Sequence, residues 1–128
     1  ISNLILLSDG NVIAIGTVTG SRAAELYNPT SGSLKVIQEP RFFAYNFTAT
    51  LLNNGKVLIA GGTTGFDGLA RAELYDPETE SIVLVAPMNQ SREGHAVVAL
   101  VDGRVLVTGG RVDVSGLQAQ DSAEIYYP

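Results

Sequence analysis

Residues 54–62 read Asn54-Gly55-Lys56-Val57-Leu58-Ile59-Ala60-Gly61-Gly62, so a turn signal, an apolar run and a glycine pair follow one another directly. Asn-Gly is typical of a tight hairpin of type I′, in which both central residues need a positive φ. The apolar run has the length and composition of a strand that is buried on both faces. A glycine pair after a strand indicates an unusual φ or a close approach of another backbone.

The same pattern occurs three times in the 128 residues, because 10–16 and 103–110 align with 55–62. A second block, Ala-Glu-(Leu/Ile)-Tyr-x-Pro, follows each copy, at 24–29, 72–77 and 123–128. From each block glutamate to the first glycine of the next copy is 30 residues, whereas the stretch between the glycines and the glutamate measures 9, 12 and 15 residues. One loop therefore takes up the length variation, which in repeat proteins places the insertions on one face.

Each repeat predicts short antiparallel strands and no helix. The predicted strands of the second repeat are Phe47–Leu52, Lys56–Ala60, Arg71–Tyr75 and Ile82–Val85. Those of the first are Asn3–Leu7, Val12–Ile15, Ala23–Tyr27 and Leu34–Ile37, and those of the third are His95–Val101, Arg104–Thr108 and Ala123–Tyr126. Four-stranded units of roughly 45–50 residues are typical of β-propeller blades.

The composition indicates a globular chain and argues against several functions. Apolar residues make up 45% and charged residues 16% of the chain, which is typical of a folded domain. A net charge of −5 with eight scattered basic residues argues against binding to nucleic acid or to an anionic membrane. The absence of cysteine excludes disulfides, thiolate metal sites and a cysteine nucleophile, and leaves the compartment undetermined.

These repeats resemble the kelch family, in particular the bacterial, galactose-oxidase-like kind. The family has a glycine pair after strand two, seen here as Gly61-Gly62 and Gly109-Gly110, and a tyrosine that ends strand three, seen here as Tyr27, Tyr75 and Tyr126. Pro87-Met88, Arg92, His95 and Asp102-Gly103 are similar to its inter-blade stretch. The sequence departs from the family at Leu34 and Ile82, which replace a tryptophan, and at Gly16-Thr17, which replaces a glycine pair.

The resemblance implies an all-β, kelch-type β-propeller of about 2.75 four-stranded blades. The single domain, 1–128, divides into blade 1 at about 1–40, blade 2 at about 46–88 and blade 3 at about 94–128, which lacks its fourth strand. Closed propellers have about 4–8 blades, and each blade needs neighbours on both faces. We therefore expect either a piece of a longer propeller or self-association into a ring, which two copies would close with six blades, and another segment to supply the missing strand.

The loops between strands two and three share a face with the connections from strand four to the next blade, and the resemblance makes this the usual binding face. The opposite face is expected to hold only tight turns. We predict that the first face binds a protein or carbohydrate partner through Arg22, Arg41, Phe42, Phe66, Asp67, Arg71, Arg92, Arg111 and Asp113.

Residues with catalytic chemistry are few. His95 is the only histidine, and we expect it to pack between blades, since zinc and copper sites generally need several histidine or cysteine ligands. Glu25, Glu73 and Glu124 recur in every repeat, and we expect them to be structural anchors, for example through an ion pair with Arg92. The sequence thus favours a non-catalytic binding or scaffold module that needs no cofactor or metal. The alternative is a piece of a galactose-oxidase-like or glycan-acting enzyme whose catalytic residues lie outside this segment.

Overall fold

A computed structural model of the chain describes residues 3–18, 21–38, 44–112 and 118–128, without the side chains of 17, 18, 21–23 and 38. Eleven strands form within these ranges. They are β1 (Asn3–Leu6), β2 (Val12–Val18), β3 (Ser21–Asn28), β4 (Ser33–Gln38), β5 (Thr48–Leu51), β6 (Val57–Ala60), β7 (Ala72–Asp76), β8 (Ser81–Val85), β9 (Ala96–Ala99), β10 (Val105–Thr108) and β11 (Ala123–Tyr126).

The strands make three antiparallel sheets with orders β1-β2-β3-β4, β5-β6-β7-β8 and β9-β10-β11, here called the first, second and third sheets. No helix occurs in the part of the chain that the structure describes. The first strand of the second sheet, β5, lies against β1 on one side and β9 on the other, so the sheets are stacked with their first strands adjacent. The all-β fold is confirmed, and its three repeated sheets are consistent with a partial β-propeller.

Strand bounds agree with the predicted ones within two residues except at the end of β2. This strand continues to Val18, and its pairing with β3 runs on to Val18 opposite Ser21. The first repeat has the shortest stretch between its glycine and its block glutamate. In this repeat the paired strands therefore extend into that stretch, whereas β6 and β10 end at Ala60 and Thr108, before the glycines.

The hairpin turns between the first two strands of each sheet differ from the predicted type I′. Gly55 has a φ of 82°, but Asn54 has no positive φ. The Leu52 N–H donates to the Lys56 carbonyl at 2.8 Å, and the Gly55 N–H donates to the Leu52 carbonyl at 3.0 Å. This is a three-residue loop that ends in a glycine bulge, and the type I′ prediction was wrong.

The reason lies in the side chain before the glycine. Asn54 Oδ1 accepts a hydrogen bond from the Lys56 N–H at 3.1 Å, which holds Asn54 in the turn without a left-handed backbone. Asp9 accepts from the Asn11 N–H and Asp102 from the Arg104 N–H in the same way. All three repeats therefore use one turn, with the left-handed conformation only at the glycine.

Two apolar layers form the core, one between each pair of neighbouring sheets. The first contains Leu7, Ile13, Ile15, Ala24, Val57, Ile59, Tyr75 and Ile82. The second contains Leu52, Leu58, Ala60, Ala72, Met88, Val105, Val107 and Tyr126. Every residue of β6 is buried, because this strand contributes to both layers. This confirms the prediction that the continuous apolar run is a strand buried on both faces.

Replacement of Asn54 by glycine tests the turn assignment. Asn54→Gly removes the side-chain acceptor and adds backbone freedom, so we expect a loss of about 1 kcal/mol in the free energy of unfolding. In a type I′ turn, glycine at this position would be neutral or stabilising. Urea unfolding measures the change, and Asp9→Gly in the first repeat is the matched variant that should behave alike.

Candidate functional site

The segment 88–95 lies in the connection from β8 to β9, between the second and third sheets. On one side the Arg92 N–H donates to the Leu69 carbonyl at 3.0 Å, and the Arg92 carbonyl accepts from the Gly62 N–H at 2.8 Å. On the other side Glu93 and Arg111 exchange two backbone hydrogen bonds of 2.9 Å. This segment, 88–95, is called here the inter-sheet segment. It is hydrogen-bonded to loops of both sheets and fixes their relative position.

Arg92 is the centre of this segment, and its side chain is completely buried. Nη1 donates to the Gly109 carbonyl at 2.8 Å and to the Ser122 carbonyl at 3.0 Å. Nη2 donates to Ser122 Oγ at 2.9 Å and to Gln90 Oε1 at 3.2 Å. These bonds all stay within the protein, so the guanidinium holds the loop face together and presents no charge on it.

The recurring glutamate of the third repeat closes the same network. Glu124 Oε2 lies 3.5 Å from Arg92 Nε, which confirms the predicted glutamate–Arg92 pair. Its carboxylate also accepts from the backbone N–H groups of Asn89, at 2.7 Å, and Gln90, at 3.2 Å. A carboxylate that takes two backbone donors and one guanidinium is an anchor for the connection between sheets.

His95 lies at the end of the inter-sheet segment and packs into the space left by two glycines. A Cβ on Gly61 would overlap His95 Cε1, and a Cβ on Gly110 would lie 2.9 Å from His95 Cβ. His95 Nε2 is 3.1 Å from Thr48 Oγ1. Burial, with a further contribution from Arg92, lowers the pKa of His95 to about 4. The imidazole is therefore neutral near pH 7, in accord with the predicted packing role.

A cleft of about 560 Å³ opens on the loop face between the second and third sheets. Asp67, Gly68, Gln90, Ser91, Val112, Gln118 and Gln120 line it. Thr63 Oγ1 donates to the Asp67 carbonyl at 2.8 Å and accepts from the Gly65 N–H, which shapes the first wall. The Gly68 N–H donates to the Val112 carbonyl at 2.8 Å, so the loops of the two sheets meet at the cleft.

Three of the sequence-predicted binding residues lie on or next to this cleft. Asp67 lines it, and Phe66, next to it in the chain, is 79% exposed. Arg111 is exposed, pairs by its backbone with Glu93, and places its Nε 3.9 Å from Glu93 Oε1.

The other predicted residues are placed differently. Arg92, which we predicted on the binding face, has a completely buried side chain whose guanidinium is bonded within the protein, so it is not available to contact a partner directly. Arg71 is partly buried, and its carbonyl accepts from the Gly61 N–H at 2.9 Å. The backbone of Arg22 pairs with Thr17 in the first sheet, but its side chain is outside the described part of the structure. Arg41, Phe42 and Asp113 also lie outside the described residues.

Sequence reasoning missed the three glutamines of the cleft. Gln90 is in the inter-sheet segment, and Gln118 and Gln120 are in the longest of the three variable loops. None of the three positions carries a glutamine in another repeat, so no repeat pattern marks them. The only available signal was loop length, since the longest variable loop is expected to line a cleft on the loop face.

A second cleft, of about 520 Å³, lies on the opposite face between the first and second sheets. Turn residues of both sheets line it, among them Asp9, Lys56, Asp76 and Glu78. Lys56 Nζ lies 2.8 Å from Asp76 Oδ2, and this hydrogen bond raises the pKa of Lys56 and lowers the pKa of Asp76. The expectation that this face holds only tight turns therefore missed a concavity between the turns.

No three His, Asp or Glu side chains of the described residues come together so that they could hold a metal ion. The described segments also contain no helix long and apolar enough to cross a bilayer. No protein-family model matches the chain, and a search of curated proteins finds no match.

Loss of the buried guanidinium should unfold the loop face. Arg92→Met keeps much of the volume but removes the donor to the Gly109 carbonyl and one donor each to Glu124 and the Ser122 carbonyl in a buried site, so we expect a loss of about 3 kcal/mol or more. Arg104→Met, which removes the exposed ion pair with Asp102, is the control and should change stability little. Equal effects of the two substitutions in urea unfolding would contradict the anchoring role of Arg92.

The lone histidine should make stability depend on pH. The folded pKa of about 4 lies below the ordinary value of 6.5, so the unfolded chain binds a proton first. The contribution of neutral His95 is thus complete above about pH 6.5 and is lost as the pH falls towards about 4. We expect the free energy of unfolding to decline from pH 7 to pH 5. His95→Phe, which installs the residue type of the equivalent Phe47, should flatten this decline.

Proposed function

We propose that the chain is part of a kelch-type β-propeller that acts as a non-catalytic binding module, with its ligand in the cleft between the second and third sheets. The observation that carries this proposal is the cleft itself. Residues of two variable loops and of the inter-sheet segment line it. Its lining has the mixture of one carboxylate, amides and a hydroxyl that recognises a polar ligand. Its volume is in the range of small-molecule sites.

A carbohydrate fits this lining better than a charged ligand. Gln118 and Gln120 can each donate and accept hydrogen bonds, as sugar hydroxyls do, and Gln90 can donate through its amide NH2. Asp67 adds an acceptor that can take two hydroxyl donors, and Phe66, the preceding residue, has an exposed ring of the kind that packs on the C–H face of a sugar. A protein partner would use the same exposed ring, and is the other ligand class that the loop face could take.

Support for the cleft comes from the buried network below it. Gln90 Oε1 accepts from Ser122 Oγ at 2.7 Å as well as from Arg92, so this side chain is held before a ligand arrives. Preorganised side chains lose little entropy when they bind, which favours affinity. Arg92 is thus proposed to contribute to binding by positioning Gln90.

The kelch-type scaffold also needs further sheets, through additional blades or through self-association, to cover its outer faces. We propose no nucleic-acid or membrane partner, on the grounds of net charge given above. The alternative of a glycan-acting or galactose-oxidase-like enzyme places its catalytic residues outside this segment, and no contact among the described residues favours it.

A glycan microarray followed by calorimetric titration of a bound oligosaccharide tests the proposal. Asp67→Ala and Gln118→Ala alter exposed side chains of the cleft, so we expect each to weaken binding at least about tenfold without changing the fold, which corresponds to about 1.4 kcal/mol. Asp9→Ala, in the cleft of the opposite face, is the matched control and should bind normally. Absence of binding across the array, or equal affinity of all three variants, would refute the carbohydrate assignment.

A further inference from the structure

The amide of Gln90 is held in one orientation in the cleft between the second and third sheets. Arg92 Nη2 lies 3.2 Å from the end of this side chain. A guanidinium can only donate, so the atom that faces it is the amide oxygen, Oε1. Ser122 Oγ also donates to this oxygen, at 2.7 Å. Both lone pairs of the oxygen are therefore engaged within the protein, and Gln90 offers a ligand only the N–H groups of its amide.

Asp67 lines the same cleft from a loop of the second sheet and offers the opposite kind of group. Its backbone is held in place by Thr63 Oγ1, which donates to the Asp67 carbonyl at 2.8 Å. The ionised carboxylate only accepts hydrogen bonds. Among the described residues, no group donates to it. A ligand group that satisfies both Gln90 and Asp67 therefore needs one acceptor and one donor.

Val112 gives the cleft its apolar contact. Of the described residues that line the cleft, Val112 alone has an apolar side chain. The Gly68 N–H donates to the Val112 carbonyl at 2.8 Å, and a Cβ on Gly68 would lie only 3.0 Å from the same oxygen. The loops of the second and third sheets are thus in direct contact beside Val112. This contact closes the cleft on that side, so a ligand group that packs there is a terminal one.

The charges around the cleft favour a neutral ligand. Asp67 is the one charged residue among the described residues that line it. The Arg92 guanidinium is buried and has Glu124 Oε2 at 3.5 Å from its Nε, so it supplies no counter-charge to a ligand. A ligand carboxylate that accepted from Gln90 would share the cleft with Asp67 without a cation, and like charges at close range are unfavourable. The acceptor that Gln90 requires is therefore an uncharged oxygen.

We infer that the cleft recognises the acetamido group of an N-acetylated amino sugar. The acetamido carbonyl accepts from Gln90 Nε2, its N–H donates to the Asp67 carboxylate, and its methyl group packs on Val112. A sugar hydroxyl in the same place has one oxygen and no methyl group, so it leaves at least one of these contacts unmade. Polar groups that stay without a partner penalise the wrong ligand. The inference rests on the carbohydrate proposal above and names the class of sugar.

A peptide main chain also pairs a carbonyl with an N–H in each of its amides. The peptide continues on both sides of the amide, whereas the cleft is closed beside Val112 by the hydrogen bond from Gly68. An amide that ends in a methyl group therefore fits this cleft better than an amide within a chain.

Matched sugars test the inference on the full chain. The probes are the methyl glycosides of N-acetylglucosamine and N-acetylgalactosamine, each with the counterpart in which a hydroxyl replaces the acetamido group. Titration followed by ligand-observed nuclear magnetic resonance measures each affinity. We expect at least one acetamido sugar to bind at least about tenfold more tightly than its counterpart, which corresponds to about 1.4 kcal/mol. Its acetamido methyl protons should receive the strongest saturation transfer from the protein.

Gln90→Glu separates the two ends of the Gln90 amide. Glutamate keeps an oxygen that accepts from Arg92 and Ser122 but has no N–H for the ligand. We therefore expect urea unfolding close to that of the unchanged chain, and a preference for the acetamido sugar that falls to about twofold or less. Gln118→Glu makes the same change of charge in the same cleft, at a side chain that Arg92 does not bond. It should alter the affinities for both sugars of a pair by similar factors and keep the preference.

Two results would overturn the inference and leave the carbohydrate proposal standing. One is equal affinity for both sugars of each pair, and the other is a Gln90→Glu chain that keeps the full preference. Binding of N-acetylglycine methylamide as tightly as the amino sugar would assign the cleft to a peptide instead. Absence of binding to every glycan of the array and to every methyl glycoside would refute both proposals together. Failure of the acetamido assignment and failure of the ligand proposal are therefore distinguishable.

Discussion

The hydrogen bonds of the buried Arg92 guanidinium are the interaction on which the loop face between the second and third sheets depends. A charge without water is costly unless every donor finds an acceptor, and here two carbonyls, a hydroxyl, an amide and Glu124 provide them. The acceptors belong to the third sheet and to the connection that leads into it, whereas the backbone of Arg92 is bonded to the second sheet. One residue therefore fixes the separation and the register of two sheets that share no strand.

The glycine pair is the steric counterpart of that interaction. Gly61 lets the Arg92 carbonyl and the side chain of His95 approach the end of β6 more closely than any Cβ allows, and Gly62 does the same for the backbone at Tyr45, in the connection before β5. The recurring glutamate then holds the connection in place in the third repeat. The glycine pair, Glu124 and Arg92 thus together hold the connection between the second and third sheets, although they are far apart in the sequence.

The strands and the apolar layers could be predicted from the sequence, because they depend on local periodicity and on a pattern that recurs three times. The turn type could not, because the Asx side chain, rather than the Asn-Gly pair alone, decides where the left-handed residue lies. The cleft was predicted only as a face. Gln90 and Gln118 line the same cleft because Arg92 holds the connection that carries Gln90 against the third sheet. Nothing in the local sequence around either glutamine predicts this arrangement.

His95 has a consequence for how the molecule can be observed. It is the only histidine of the chain, and it lies in the contact between Gly61 and the third sheet. Its ring protons therefore give a single set of histidine resonances in a nuclear magnetic resonance spectrum. The imidazole stays neutral well below the pH at which a free histidine titrates. The chemical shifts of His95 are therefore a probe, without any label, of whether the second and third sheets are in contact.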